Sequence, residues 1–216
     1  MALKYRITPV TPYQQNCTLI WCSQTDEGAL VDPGGDAQKL KLAVKEEEVK
    51  ITQILLTHGH LDHVGAAREL ADFYGVPIMG AHKADAFWLD QLPQQSVRFG
   101  FPHCDVLVPD AWLVDQQKIR VGLETLTTLH CPGHTPGHVV FVSQAAQFLI
   151  AGDVLFAGSI GRTDFPRGNH EELIASIRNQ LFVLPENMVV LPGHGPRTTI
   201  GSERKNNPFV ADKKFG

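Results

Sequence analysis

The sequence predicts an α/β chain folded as a single domain, with two β-sheets packed face to face and helices covering both outer faces. Two observations carry this expectation. Segments rich in β-formers come in two groups, each with helical segments attached, which suits sheets that share one core. The chain has 216 residues, 43% of them apolar and 19% charged, which are ordinary globular proportions and enough length for one substantial core.

Tyr5–Val10, Cys17–Cys22 and Ala29–Val31 read as strands, punctuated by turns at Gly28 and at Asp32-Pro33-Gly34-Gly35. Asp36 is expected to cap a helix that carries Leu40, Ala43 and Val44 and frays at the charged run Lys45–Glu48, a solvated face. Ile51–Leu56 is a continuous apolar run of strand length, as for a strand buried on both faces. A helix from His63 to about Tyr74 follows, with Val64, Ala67, Leu70 and Ala71 on one side and Gly75 at its end. Val76–Met79 reads as a short strand and Ala81–Leu89 as a helix. Asp90–Asp110, with Pro93, Gly100, Pro102 and Pro109 among polar residues, reads as a long surface loop and a pocket wall. Lys118–Leu129, His138–Ser143 and Phe148–Ala151 read as strands. Asn169, with Glu172 three residues on, caps a helix whose apolar stripe is Leu173, Ile174, Ile177 and Leu181. Asn187–Leu191 is the last clear strand, so the domain is expected over residues 1–200 and a polar tail over 201–216.

Composition narrows the function classes. A formal charge of −4 argues against a nucleic-acid partner, which usually needs a basic patch. The first residues lack the apolar stretch and cleavage site of a signal peptide, and no apolar run reaches the ~18 residues of a membrane span. Cys17, Cys22, Cys104 and Cys131 form no C-x-x-C pair and are read as free thiols, so a cytoplasmic location is expected. No phosphate-loop motif occurs. The oligomeric state is left open.

The chemistry lies in the histidines. His58 and His60 are two apart just after the apolar strand, so on an extended chain both side chains point the same way. Asp62 and His63 follow where the next helix starts, and Gly59 leaves room for an ion. His134 sits in Cys131-Pro132-Gly133-His134-Thr135-Pro136-Gly137-His138, a turn stiffened by its prolines and glycines. Asp153 follows Phe148–Ala151 and Gly152, and His194 lies in Leu191-Pro192-Gly193-His194-Gly195-Pro196. Each strand-end residue alone is more simply structural. Together they supply five imidazoles and two carboxylates. One zinc ion takes three or four protein ligands, so this set points to two divalent ions with a carboxylate between them. Zinc is the expected ion, and iron or manganese suit the same donors. His138 is expected to support the site, whereas His82, His103, His130 and His170 are given no role. A nucleophilic role for Cys131 is not expected beside such a centre.

The pattern Thr57-His58-x-His60-x-Asp62-His63, then His134, Asp153 and His194 each at a strand end, resembles the metallo-β-lactamase superfamily over nearly the whole chain. The resemblance implies a four-layer αββα sandwich with the site at one edge. It also implies His58, His60 and His134 on one metal, Asp62, His63 and His194 on the other, and Asp153 bridging. Within the superfamily, the tracts Gly152–Phe156, Gly158–Phe165 and Glu203–Phe209 are similar to the short-form glyoxalase II group, the hydroxyacylglutathione hydrolases. That likeness implies hydrolysis of S-D-lactoylglutathione to glutathione and D-lactate by a metal-bridging hydroxide, with Asp62 also relaying a proton. Long forms hold glutathione partly on a helical domain that residues 201–216 are too few to form. Arg162 matches a position that is basic in the long forms and is the candidate for binding a glutathione carboxylate, with Lys213 and Lys214 as further candidates. Persulfide dioxygenases share the histidine framework but use one iron, whose ligands here would be His58, His134 and Asp153. A non-catalytic metal-binding module is the remaining alternative, while a periplasmic β-lactamase and a nuclease are disfavoured by the absent leader and the acidic balance.

Overall fold

In the computed structural model, which describes residues 3–212, alternation along the strands decides the layering. The first half supplies β1 (Leu3–Val10), β2 (Gln15–Cys22), β3 (Glu27–Val31), β4 (Lys50–Leu55), β5 (Ile78–His82) and β6 (Ala111–Leu113), hydrogen-bonded in that order into one sheet. Its first three strands are antiparallel, and β3 to β6 run parallel. The second half supplies β7 (Lys118–Val121), β8 (Glu124–His130), β9 (Val139–Ser143), β10 (Phe148–Gly152), β11 (Leu155–Phe156), β12 (Ser159–Ile160), β13 (Val189–Pro192) and β14 (Thr198–Thr199). Here β11 and β12 form a separate hairpin, and the others make a sheet in the order β14-β13-β10-β9-β8-β7. The helices are α1 (Ala37–Glu46), α2 (Leu61–Val64), α3 (Ala67–Tyr74), α4 (Ala86–Asp90), α5 (Leu92–Phe99), α6 (His170–Ser176) and α7 (Ile200–Asn206).

Odd and even residues of the strands serve different cores, as the period of two requires. Phe141, Phe148, Ile150 and Leu191 of the second sheet meet Ile20, Ala29, Val31 and Leu55 of the first, filling the space between the sheets. Their neighbours point outward. Leu19, Leu30, Ile54 and Leu56 pack with Leu40 and Val44 of α1 and Leu70 of α3. Val140, Val142, Leu149 and Ala151 pack with Leu173 of α6 and with Ile177 and Leu181 of the π turn that extends it. The chain is therefore a four-layer αββα sandwich. No described helix is long and apolar enough to cross a membrane.

Several local expectations are corrected. The helix expected from His63 to Tyr74 is two helices, because Pro33 intrudes at the break and its carbonyl accepts the Ala66 N–H at 2.9 Å. Asp36 stands before α1 in a left-handed conformation and its carboxylate accepts the Thr11 N–H instead of capping the helix. Asp90–Asp110 is not all loop: it contains α5, with Pro93 tolerated in the first turn and Gly100 closing the helix at a φ of 70°. Lys118–Leu129 is a hairpin that turns at Gly122. Residues 201–212, polar in composition, continue α7 and are docked onto the sandwich. Val210 is buried with Ile200, and the buried Glu203 accepts from Thr198, Gly158 and Asn207.

Phe141 lies at the centre of the inter-sheet core and is fully buried. Phe141→Ala is expected to lower unfolding free energy by about 3–5 kcal/mol, the range for deleting a buried aromatic ring. A urea midpoint unchanged from the parent would show that the space between the sheets is not the main core.

Candidate metal centre

Three strand ends and one connection build the site. The chain leaves β4 into Thr57-His58-Gly59-His60 and then α2, which carries Asp62 and His63. The β8–β9 connection brings His134, β10 leads to Asp153, and β13 leads to His194. Strand ends on one edge of two stacked sheets are thus the common source, and all seven side chains converge.

The donors form two overlapping groups with Asp153 between them. In the first, His60 Nδ1 lies 3.1 Å from His58 Nε2 and 3.0 Å from His134 Nε2. In the second, His194 Nε2 lies 3.2 Å from Asp62 Oδ2, and His63 Nε2 lies 3.9 Å from the same oxygen. Asp153 reaches both groups: Oδ1 is 3.4 Å from His63 Nε2, while Oδ2 is 3.7 Å from both His134 Nε2 and His194 Nε2.

Hydrogen bonds at the far side of four of the five rings fix which nitrogen carries the proton. Asp32 has only acceptors, so the Thr57 hydroxyl donates to its Oδ2 at 2.6 Å and must accept from His58 Nδ1–H at 3.0 Å. His63 Nδ1–H donates to the same Asp32 oxygen at 2.9 Å. His134 Nδ1–H donates to the Arg162 carbonyl at 2.7 Å, and His194 Nδ1–H to the Tyr13 carbonyl at 3.2 Å. The Nε2 lone pairs of all four rings therefore face inward. His58 Nε2, His134 Nε2 and His60 Nδ1 crowd together with at most one proton among them. His63 Nε2 and Asp153 Oδ1 are buried without a hydrogen-bond partner. Lone pairs packed this closely repel one another unless a cation lies among them, and imidazole with carboxylate is a donor set that divalent metals accept.

The electrostatics divide the two groups. Burial, then the neighbouring imidazoles, holds His58 and His60 well below the ordinary histidine range. Burial also holds His134 down. Burial opposes charge on His63 as well, but Asp153 and Asp62 overcome it and raise its pKa. Burial likewise opposes ionisation of Asp153, and the surrounding histidines overcome it and keep it an anion.

This centre is set in a chain whose residues 10–194 match the model of the metallo-beta-lactamase superfamily. The chain belongs to that superfamily. It is 45% identical over 212 residues to the hydroxyacylglutathione hydrolase GloC of Haemophilus influenzae, spanning 98% of this chain and all of that one. Among solved structures it is similar to the B3 metallo-β-lactamase BLEG-1, at 38% identity and a TM-score of 0.89, covering 96% of this chain and 99% of that one. It is also similar to TTHA1623 in a di-iron-bound form, at 33% identity and a TM-score of 0.86, covering 95% and 100%.

Around the superfamily site, sequence reasoning missed two buried carboxylates. Asp32, placed in a turn by its Pro-Gly-Gly context, orients both His58 and His63 and also accepts the Thr57 N–H at 2.7 Å. Its position just after β3 was the available signal, since Asp153 follows β10 in the same way. Asp85 accepts from Gly59 N, Thr135 Oγ1 and Gly137 N, which ties the first histidine loop to the His134 loop. Nothing local in the sequence marks it. His138 lies beside the site: its Nε2 accepts the Asp153 N–H at 3.0 Å and its ring stacks on His58. Cys131 is wholly buried, and burial pushes its thiol far up, so it is inert.

The centre forms the floor of a cavity of about 630 Å³. Trp88, Phe99, Phe101, Phe156, Ile160 and Phe165 give it apolar walls. Arg162 lies on the wall with its guanidinium held by Asp164 in a two-point contact at 2.8 and 2.9 Å. Lys213 and Lys214 lie outside the described residues.

Burial pushes the Asp85 carboxyl up to about 6, against the three hydrogen bonds that pull it down. Between pH ~4 and ~6 the unfolded chain has lost this proton and the folded chain keeps it, so the sign is a loss of stability as pH rises, of about 3 kcal/mol at most. The difference in unfolding free energy between the parent and Asp85→Asn, both stripped of metal, is expected to move against the parent across that window. A difference that stays flat in urea titrations from pH 4 to 6.5 would rule this out.

Proposed function

We propose that this metallo-hydrolase cleaves the thioester of S-D-lactoylglutathione or a close relative, releasing glutathione and a hydroxy acid. The observation that carries the reading is the pair of donor groups joined by Asp153 on the floor of a cavity of glutathione-compatible size. The hydroxyacylglutathione hydrolase GloC, related over 98% of this chain and all of its own, supports the substrate class.

In this reading His58, His60 and His134 hold one divalent ion, Asp62, His63 and His194 hold the second, and Asp153 serves both. Such ions, when bound, lower the pKa of water towards neutrality and polarise a carbonyl oxygen. The protein's part is to present unprotonated nitrogens, which Asp32, Thr57, the Arg162 carbonyl and the Tyr13 carbonyl ensure by engaging the opposite ring atoms. Asp62 Oδ2 stands beside His194, at the more open side of the site, where a carboxylate can take and pass on a proton. The aromatic walls give the reacting carbonyl an apolar surround. A thiolate leaves readily, because a free thiol has a pKa of about 8.5. An amine would need a proton delivered to nitrogen. Zinc, iron and manganese all suit this donor set.

Purified protein is expected to hydrolyse S-D-lactoylglutathione, to lose that activity on chelation and to regain it with added divalent metal. His58→Ala combined with Asp153→Ala is expected to lower kcat/KM at least ~10³-fold, since it removes a donor from one group and the shared carboxylate. Full turnover by that double variant would refute the reading. Oxygen uptake on glutathione persulfide with a single iron per chain would reassign the protein to the dioxygenases, and turnover of a β-lactam instead of a thioester would reassign it to the lactamases.

A further inference from the structure

The cavity floor is taken up by donor side chains, His60, Asp62, His134, Asp153 and His194 among them. In the thioesterase reading that floor takes the reacting carbonyl, so a carboxylate elsewhere on the ligand is met on the walls. Two guanidinium groups line those walls, Arg162 and Arg98. They differ in what they already hold. Arg162 is bound through two nitrogens to Asp164. Arg98 lies in the last turn of α5, and its guanidinium rests only on the ring of Phe99, 5.5 Å from the centroid. Among the described residues it makes no ion pair.

Helix geometry explains why Arg98 faces the cavity. Gln91, Gln94, Gln95 and Arg98 fall on one stripe at helical spacing, and all four line the cavity. Gln95 is fully used: its oxygen accepts from Leu61 N and its nitrogen donates to the Trp88 carbonyl, which fastens α5 to α2 and α4. Gln91, Gln94 and Arg98 are exposed. The helix is thus anchored at its middle and offers two amides and a cation to whatever enters. A glutathione thioester carries a carboxylate at each end of its peptide and peptide amides between them, which is the complement of this stripe.

We propose that Arg98 is the carboxylate anchor of this cavity and sets its preference for glutathione thioesters over uncharged ones. The proposal rests on the thioesterase reading for its substrate. Planar two-point hydrogen bonding to a carboxylate is what a guanidinium does best, and α5 holds this one with its donors uncommitted.

The test compares parent, Arg98→Gln and Arg98→Glu on S-D-lactoylglutathione and on the lactoyl thioester of N-acetylcysteamine, which has no carboxylate. Binding of S-methylglutathione is measured in parallel by calorimetry on the metal-loaded proteins. Arg98→Gln is expected to raise KM for the glutathione thioester and Kd for S-methylglutathione about 10-fold, with Arg98→Glu worse, while the neutral thioester shifts less than about twofold. Equal loss on both thioesters, or no change on either, would overturn the anchor while leaving the hydrolase reading intact. If the parent turns over neither thioester yet its S-methylglutathione affinity falls in the Arg98 variants, the anchor stands and the hydrolase reading falls. A parent that neither binds S-methylglutathione nor hydrolyses the thioesters would end both.

Discussion

The constraint on which the rest of this structure depends is the crowding of ring nitrogens. His60 Nδ1 stands 3.1 Å from His58 Nε2 and 3.0 Å from His134 Nε2 in a buried space, with Asp153 on one side and a second group of donors beyond it. Burying such groups without compensation is costly, because each lone pair loses its water and faces others like it. The surrounding protein is organised to hold that arrangement. Four of the five rings have the opposite nitrogen engaged by an acceptor, and the acceptors come from separate parts of the chain: Asp32 after β3, Thr57 after β4, Tyr13 between β1 and β2, and the Arg162 carbonyl after β12.

The sandwich makes this possible because its strand ends are fixed by two cores at once. Along β10, Phe148 and Ile150 are held between the sheets, while Leu149 and Ala151 are held under α6. The turn after it cannot drift without disturbing both layers. Packing at that turn leaves no room for side chains. A β-carbon on Gly152 would meet Thr57 Oγ1 and His138 Nε2, and one on Gly193 would meet Asp153 Oδ1 and His63 Cε1. Gly152 also has a φ of 49°, a conformation costly for other residues. These glycines let neighbouring strand ends approach closely enough for donors from distant segments to share one small volume.

How much of this is legible in the sequence follows from range. The fold class is legible because strand-forming apolar runs are local and recur along the chain. In β4, for example, Ile54 faces the helices and Leu55 faces the opposite sheet. Five of the seven converging side chains sit next to a glycine in the turns that join the strands, and Asp62 and His63 follow in the same run as His58 and His60, which makes the set legible. The orienting carboxylates are less so. Asp85 acts on Gly59 and Gly137, residues 26 and 52 positions away, and only the folded chain brings them together. Helix α5 was hidden for a different reason. Pro93 and Gly100 are strong loop signals, yet one falls in the first turn and the other just past the last residue, the two places where a helix accepts them. Reading them as breakers turns a rigid wall into a loop.

That difference matters for how substrate is chosen. A loop would present Gln94 and Arg98 in many arrangements, and each bound carboxylate would have to order the segment first. A helix pinned through Gln95 to Leu61 N holds them at fixed spacing from the residue that precedes Asp62. The same amide that steadies the wall therefore also contacts the helix that carries Asp62 and His63. Position of the donors and position of the wall are linked through one buried side chain, so the distance from the floor to the α5 stripe is set by the hydrogen bonds of that amide to the Leu61 N–H and the Trp88 carbonyl and not by exposed side chains. In such a cavity, selectivity follows from which groups a ligand can place along a fixed ruler, and the floor can remain the same while the stripe varies.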